Sequence, residues 1–417
     1  MSILPSSSAI ERWLLHRILN ATGYPPIRLA IKDGVSVSPS GPPPVGTLVF
    51  PDRVTLLKTV LHPEIGFGEG YADGKIQVEG DLVAVLEAAY RSWPGPASRG
   101  WFARLKPGWV ERFQMNSPRR SRANVHHHYD LNTEFYQRWL DPELVYTCAY
   151  FPTPSASLEE AQTAKMDHVC RKLQLQPGES VVEAGCGWGA LARHMAKHYG
   201  VCVKAVNLSH EQIVYARQQA RQQGLDDKVE FIEDDYRNIS GRFDVFASIG
   251  MLEHVGIQQY DAMGRVIQRT IGKRGRGLLH FIGRNFPAPL SPWIRKRIFP
   301  GAYVPTLREA VQVLEPWDFA VCDVENLRLH YAKTLEHWLE RFERSISQIS
   351  PMFDAPFVRA WRLYLAGSLV AFRVGTLQLF QMTFAGSECS RIPWTRAHLY
   401  EAGEPQEQGP KWMHAMS

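Results

Sequence analysis

Glu183 closes an apolar run, and Gly185, Gly187 and Gly189 follow it, alternating with Cys186 and Trp188 ahead of a helix-forming stretch, Leu191 to His198. Glycines at that spacing open backbone conformations closed to other residues and let a ligand approach the main chain. A strand, a glycine turn and a helix in that order make a nucleotide pocket. The lysine and hydroxyl residue of a phosphate-binding loop are absent, while the acid at the strand end suits a cationic group. That combination favours S-adenosylmethionine over a nucleoside polyphosphate; an ordinary strand-to-helix turn is the bland alternative.

Other polar residues fall at strand ends. Asn207, Leu208 and Gln212 follow the second strand, where amide groups can hold ribose hydroxyls. Asp234, Asp235 and Tyr236 follow the third, offering adenine an acceptor and an aromatic wall; taken singly, each is explained by loop capping. Glu253 lies in the apolar turn Ser248 to Gly256, where a carboxylate is costly to bury unless paired or used. His280 ends the fifth strand and brings an imidazole to the same rim, although strand-end histidines are often hydrogen-bonded core residues. Cys148 lacks the neighbouring base that a nucleophilic thiol needs, and transfer from a sulfonium requires no covalent enzyme intermediate, so its role is positional. The consecutive histidines 126 to 128 point in different directions and have no acidic or thiol companions at ligand spacing, which argues against a metal.

The elements that must position these groups begin at Leu158, where helix and strand alternate as in a doubly wound parallel α/β sheet. Strands are predicted at Val181–Ala184, Val201–Leu208, Val229–Asp234, Phe243–Ile249 and Gly277–Ile282, with helices at 190–199, 210–223 and 259–271. Residues 284–316 form an insertion expected to face lipid, Asp318–Arg328 and Leu377–Phe384 complete the sheet, and Tyr331–Ile349 and Phe357–Val374 are long amphipathic helices. Such sheets bind ligands at the carboxyl ends of their strands. A smaller α+β unit occupies 1–100: helices at Ser8–Asn20, Asp52–His62 and Leu82–Arg91, and strands at Ile27–Val37, Gly46–Phe50 and Tyr71–Asp81. A Pro/Gly-rich basic linker spans 101–124, the large domain 125–390, and a tail 391–417.

The 417 residues carry 47 Lys plus Arg against 42 Asp plus Glu. That mild excess suits an anionic membrane surface better than a nucleic-acid groove. Six cysteines without C-x-x-C pairs, and no signal-peptide core, place the chain in a reducing cytoplasm. Leu363–Phe384 is apolar but interrupted by Arg373, so it is not expected to span a bilayer. Ser291–Pro300 joins apolar anchors to Arg295, Lys296 and Arg297, a pattern suited to anionic headgroups on the inner face of the membrane. Arg119, Arg120 and Arg122, near Trp101, Phe102 and Trp109, offer either a solvated face or a second headgroup contact.

Taken in order, His127-His128-Tyr129-Asp130-Leu131, Tyr146-Thr147-Cys148-Ala149-Tyr150-Phe151, Gly185 to Gly189, Leu208 to Gln212, Asp235-Tyr236-Arg237, Gly250 to Gly256, His280 to Gly283 and Ile298 to Gly301 resemble the cyclopropane-fatty-acyl-phospholipid synthase family, kin of the mycolic acid cyclopropane synthases. The resemblance covers residues 124 to 385. It implies a class I methyltransferase fold and transfer of a methylene group from S-adenosylmethionine to cis double bonds of unsaturated phospholipid acyl chains. It also implies a bicarbonate base held by Cys148 (main chain), Glu253, His280, Ile282 (main chain) and Tyr331. Tyr146 and Thr147 join Glu183, Gly185, Gly187, Gly189, Asn207, Leu208, Gln212, Asp235 and Tyr236 around the cofactor, and Tyr146 and Phe281 are candidates to steady a carbocation by cation–π contact. Gly66–Leu82 resembles the sterol-carrier-type lipid-binding fold, and a dimerisation role without a lipid pocket is the alternative, with a homodimer as the family expectation. A methyl- or methylene-branched product, and a non-catalytic lipid-binding protein, are the competing functions.

Overall fold

Asp52 and Asp81 each accept a hydrogen bond from the backbone N–H three residues on, and each thereby starts a helix in the computed structural model, which describes residues 7–93 and 132–400. The amino-terminal unit runs α1 (Ser7–Ala21), β1 (Arg28–Ile31), β2 (Ser36–Val37), β3 (Gly46–Phe50), α2 (Arg53–Leu61), α3 (Pro63–Ala72), β4 (Gln77–Gly80) and α4 (Leu82–Ser92). Its sheet has the order β2-β1-β3-β4, with Leu15, Leu19, Phe50, Leu56, Ile76 and Val85 in the core beneath it.

Two expectations change here. Ile27–Val37 is not one strand but a hairpin, since Asp33 takes a positive φ of 54° and the Ile31 N–H donates to the Val35 carbonyl. The strand expected over Tyr71–Asp81 is confined to 77–80, because a helix that begins at Pro63, whose φ already suits a first turn, runs through Tyr71 and Ala72. The glycines of α3 allow close packing instead of turns. A Cβ on Gly68 would lie 2.4 Å from Trp293 Cδ1.

The remaining elements are α5 (Thr133–Gln137), α6 (Leu158–Lys172), β5 (Ser180–Ala184), α7 (Ala190–Tyr199), β6 (Cys202–Asn207), α8 (His210–Gln222), β7 (Val229–Glu233), β8 (Val245–Ile249), α9 (Leu252–Val255), α10 (Tyr260–Ile271), β9 (Arg276–Gly283), α11 (Pro292–Arg297), α12 (Leu307–Val311), β10 (Phe319–Asn326), α13 (Arg328–Arg344), α14 (Ile346–Ile349), α15 (Ala355–Val374) and β11 (Gln378–Gly386). Near-continuous apolar strands such as Val245–Ile249, buried at every position, are covered on both faces. They form a seven-stranded sheet of order β10-β11-β9-β8-β5-β6-β7, parallel from β9 to β7, with β11 antiparallel to both of its neighbours. The chain runs outward from β5 through β6 to β7 and then returns to β8 on the other side, so the topological switch point lies between β5 and β8. The expected helix Tyr331–Ile349 starts earlier, at Arg328, and breaks at Ser345.

Residues 284–316 carry α11 and α12, and two of the apolar anchors expected to face lipid, Trp293 and Ile298, point inward, while Phe286 stays exposed. Trp293, 4% exposed, packs on Gly68, and Ile298 is likewise buried. Lys296 and Arg297 pair with Glu69 of α3, the latter at 2.5 Å. Trp293 and two of the three cations are thus engaged by the amino-terminal unit, while Phe299 packs on His254 and Tyr364. Arg359 and Arg362 of α15 extend the same junction onto Tyr71. Among the described residues no helix is long and apolar enough to cross a membrane. The histidines 126–128, the linker 101–124 with its arginines and aromatic residues, and the tail beyond 400 lie outside the described residues.

Candidate active site

Gly185, Gly187 and Gly189 take φ values of 83°, 54° and 79°, all in the left-handed region, and so turn β5 sharply into α7. At Gly189 a Cβ would also stand 2.5 Å from Phe231 Cε1. The turn opens a cleft at the switch point. Tyr146, Thr147, Glu183, Gly185, Gly187, Asn207, Leu208, Gln212, Asp235 and Tyr236 line it together. Gly189 does not; its place is against Phe231, where it lets the turn pack.

Side-chain partners refine what these residues offer. Asn207 donates to the Gln212 side-chain oxygen at 2.6 Å and accepts from the Leu208 N–H, so the two amides are preset as one unit. Both oxygens of Asp235 are held by Arg237 at 2.7 Å, and that guanidinium lies over the Tyr236 ring. Asp235 therefore orients the aromatic wall, and Asp234 is the neighbouring carboxylate on the lining.

Glu183 is 2% exposed, and burial raises its carboxyl to about 7, partly offset by Lys165 and Arg193. One of its oxygens has no hydrogen-bond partner. Lys165, on α6, lines the same cleft and was not anticipated. It is 2% exposed, donates to Thr147 Oγ1 at 3.1 Å, and is brought down to about 8 by burial. Its signal lay in the helix: Gln162, Lys165, His168 and Lys172 recur every three to four residues, a polar line along the buried face of α6. Met251 and His254 also line the cleft, and burial takes His254 down to about 4.

A second group gathers behind the cleft wall. The Ile282 N–H donates to Glu253 Oε1 at 2.5 Å, while Glu253 Oε2 is buried without a partner and burial raises the carboxyl to about 7. His280 and Ile282, two residues apart on β9, share one face of the strand. The Gln381 amide lies 3.1 Å from His280 Nδ1; with the amide donating there, the ring hydrogen sits on Nε2, which has no partner. Burial, with Lys165 and Lys172, keeps this imidazole neutral. Phe281 points the opposite way, its ring tilted 5.7 Å from that of Phe380 in a separate core cluster, so alternation along the strand removes it as a partner for a cation at this site.

Cys148 is fully buried, its thiol donates to the Ala149 carbonyl, and desolvation pushes its pKa up, which leaves no thiolate to act as a nucleophile. Thr334 of α13 accepts from the Ala149 N–H at 3.0 Å and so ties this loop to the helix that carries Tyr331 one turn earlier. Cys148 and Tyr331 belong to one apolar cluster, against which Ile282 and Tyr146 pack. The Tyr331 ring lies 4.5 Å from Phe372, and the Tyr146 and Tyr364 hydroxyls are 2.8 Å apart. Cys148, Glu253, His280, Ile282 and Tyr331 do not themselves line the cleft; their chain neighbours Thr147, Gly250, Met251 and His254 do.

Residues 116–382 match the family model for mycolic acid cyclopropane synthetase. A probable fatty acid methyltransferase of Pseudomonas putida is 34% identical over 390 residues, covering 90% of this chain and 96% of the relative. The cyclopropane-fatty-acyl-phospholipid synthase of Escherichia coli is 34% identical over 359 residues, covering 86% and 91%. The crystal structure of mycolic acid cyclopropane synthase CmaA1 complexed with SAH and CTAB superposes with a TM-score of 0.61 at 31% identity, covering 63% of this chain and 97% of that one. A class I methyltransferase sheet with a glycine turn at its switch point, matched along most of its length by these enzymes, identifies this chain as a member of the mycolic acid cyclopropane synthetase family of S-adenosylmethionine-dependent methyltransferases.

Proposed function

We propose that the chain transfers a methylene group from S-adenosylmethionine to cis double bonds of unsaturated phospholipid acyl chains and closes a cyclopropane ring. An isolated alkene has no acidic proton, so its π electrons attack the methyl carbon as the carbon–sulfur bond breaks. The resulting lipid carbocation closes to a ring when the added methyl loses a proton. The cofactor supplies the activated methyl group, and the residues lining the cleft would hold it. Glu183 presents a carboxylate to its cationic end, and the preset Asn207–Gln212 pair faces the ribose.

The observation that carries the reading is the pair of unpartnered buried atoms, Glu253 Oε2 and His280 Nε2. An oxyanion that carries one O–H needs donors and one acceptor; the Nε2–H, the Tyr331 hydroxyl and the Cys148 main chain fit the first need, and Glu253 fits the second. These residues would hold bicarbonate, which supplies the base for the departing proton. The Ile282 N–H would act through the Glu253 carboxylate that it already engages. The apolar cluster around Tyr331, Tyr146 and Phe372 keeps water from the cation.

We place the catalytic unit at 125–390 and assign lipid handling or dimerisation to 1–100, with the enzyme resting on the inner membrane surface from the cytoplasm. A second reading, a methyl- or methylene-branched product, is favoured by the match to the probable fatty acid methyltransferase over 96% of that relative. The test of lipid methylation is to incubate the protein with methyl-labelled cofactor and either unsaturated or saturated phospholipid vesicles. Label entering the acyl chains of the unsaturated vesicles alone supports the proposal; label in neither set, or in both, contradicts it.

A further inference from the structure

A lysine and a glutamate are buried on one wall of the cleft without forming an ion pair with each other. Lys165 donates to Thr147 Oγ1 at 3.1 Å, and Glu183 keeps one carboxylate oxygen unpartnered. The other acid near Lys165, Asp141, is already used: its two oxygens accept the N–H groups of Glu143 and Val145, each at 3.0 Å. Arg193, near Glu183, donates to the Trp188 carbonyl and to Glu143 and keeps a buried Nε without a partner, but unlike Lys165 it does not line the cleft. Opposite charges buried this way are costly until each meets a counter-charge. A ligand that carries a carboxylate and an ammonium on one carbon satisfies both at once.

We propose that Lys165 binds the carboxylate of the cofactor's amino-acid end, opposite Glu183 on its ammonium, so that the cleft selects a zwitterion. The proposal rests on the cleft being the cofactor site. Thr147, held by Lys165 and adjacent to Cys148, couples that recognition to the loop beside the second group of residues. Burial has already lowered the Lys165 pKa to about 8, so a carboxylate arriving next to it restores the full ammonium charge.

Binding of three probes, followed by calorimetry, tests this: S-adenosylhomocysteine, decarboxylated S-adenosylmethionine, and 5′-methylthioadenosine, which lacks both charges. Lys165→Met is expected to weaken S-adenosylhomocysteine by about 10- to 100-fold, the worth of a charge-assisted hydrogen bond, while changing the other two by less than about threefold. Glu183→Gln is expected to weaken both amine-bearing probes and to spare methylthioadenosine. Retained methylthioadenosine binding shows that each variant is folded; if Lys165→Met loses it, Lys165→Gln, which still reaches Thr147, must show the same split. Equal loss for all three probes in both Lys165 variants, or loss for none, overturns the proposal. Failure of the unaltered protein to bind S-adenosylhomocysteine overturns instead the assignment of the cleft.

Discussion

The main-chain N–H of Ile282 donates to Glu253 Oε1 at 2.5 Å, so a carboxylate from the short helix α9 is fastened to the end of strand β9. The bond fixes one oxygen and aims the other. Replacing Glu253 with Gln keeps the shape but loses the charge, and should lower turnover by about 10²-fold, the usual scale for a group positioned to assist proton transfer. S-adenosylhomocysteine affinity, measured by calorimetry, should stay within about threefold. A matching loss of affinity would place Glu253 in cofactor binding.

The same residue predicts a pH dependence of stability. Its carboxyl moves from 4.5 up to about 7 on folding, so the folded state favours the proton; that stability is fully present below 4.5 and is lost as pH rises through 7. Glu253→Gln removes the titration. Relative to the unaltered chain, its unfolding free energy in denaturant titrations should therefore climb between pH 4.5 and 7, by an amount on the order of a few kcal/mol at full ionisation. A constant offset across that range would contradict the assignment.

Gly189→Ala should be disproportionately harmful. A side chain at φ 79° is strained, and its Cβ would stand 2.5 Å from Phe231. Strain and overpacking together should cost about 2–4 kcal/mol in denaturant unfolding, with weakened cofactor binding. A cost below about 0.5 kcal/mol would mean that the turn does not need glycine there.

The junction between the amino-terminal unit and α11 can be probed by charge. Arg297→Glu opposite Glu69 should destabilise the protein by about 1 kcal/mol, and adding Glu69→Lys should recover most of it, since the pair is partly exposed. Gly68→Leu, which drives a side chain into Trp293, should cost more than the charge reversal. If it costs less, the contact of Gly68 with Trp293 is not what joins the two units.

Much of this was legible in the residues. The apolar strand runs, the glycine turn and the strand-end polar groups all report local requirements, and the cleft gathers nearly all of the residues chosen for it. The misreadings have physical causes. Helix α3 is missing from the sequence reading because its glycines disguise it, whereas their use is close packing, at Gly68 against Trp293, a partner more than two hundred residues away in the sequence. Lys296 and Arg297 read as cations open to headgroups because the acid that engages them, Glu69, lies on a different element. Lys165 was overlooked because a lysine on an amphipathic helix is normally solvated, and only the fold shows that its side of α6 faces inward. Asp235 could not reveal from sequence that Arg237, two residues on, would occupy both of its oxygens.

Closure of the lipid carbocation to a ring is tested most directly by proton NMR of fatty acids recovered after turnover with unsaturated phospholipid vesicles and S-adenosylmethionine. Ring closure gives a product heavier by one methylene, with upfield cyclopropane methylene protons and no remaining vinylic signal at the modified position. Exomethylene protons, or the doublet of a methyl branch, in place of the ring signals would contradict it.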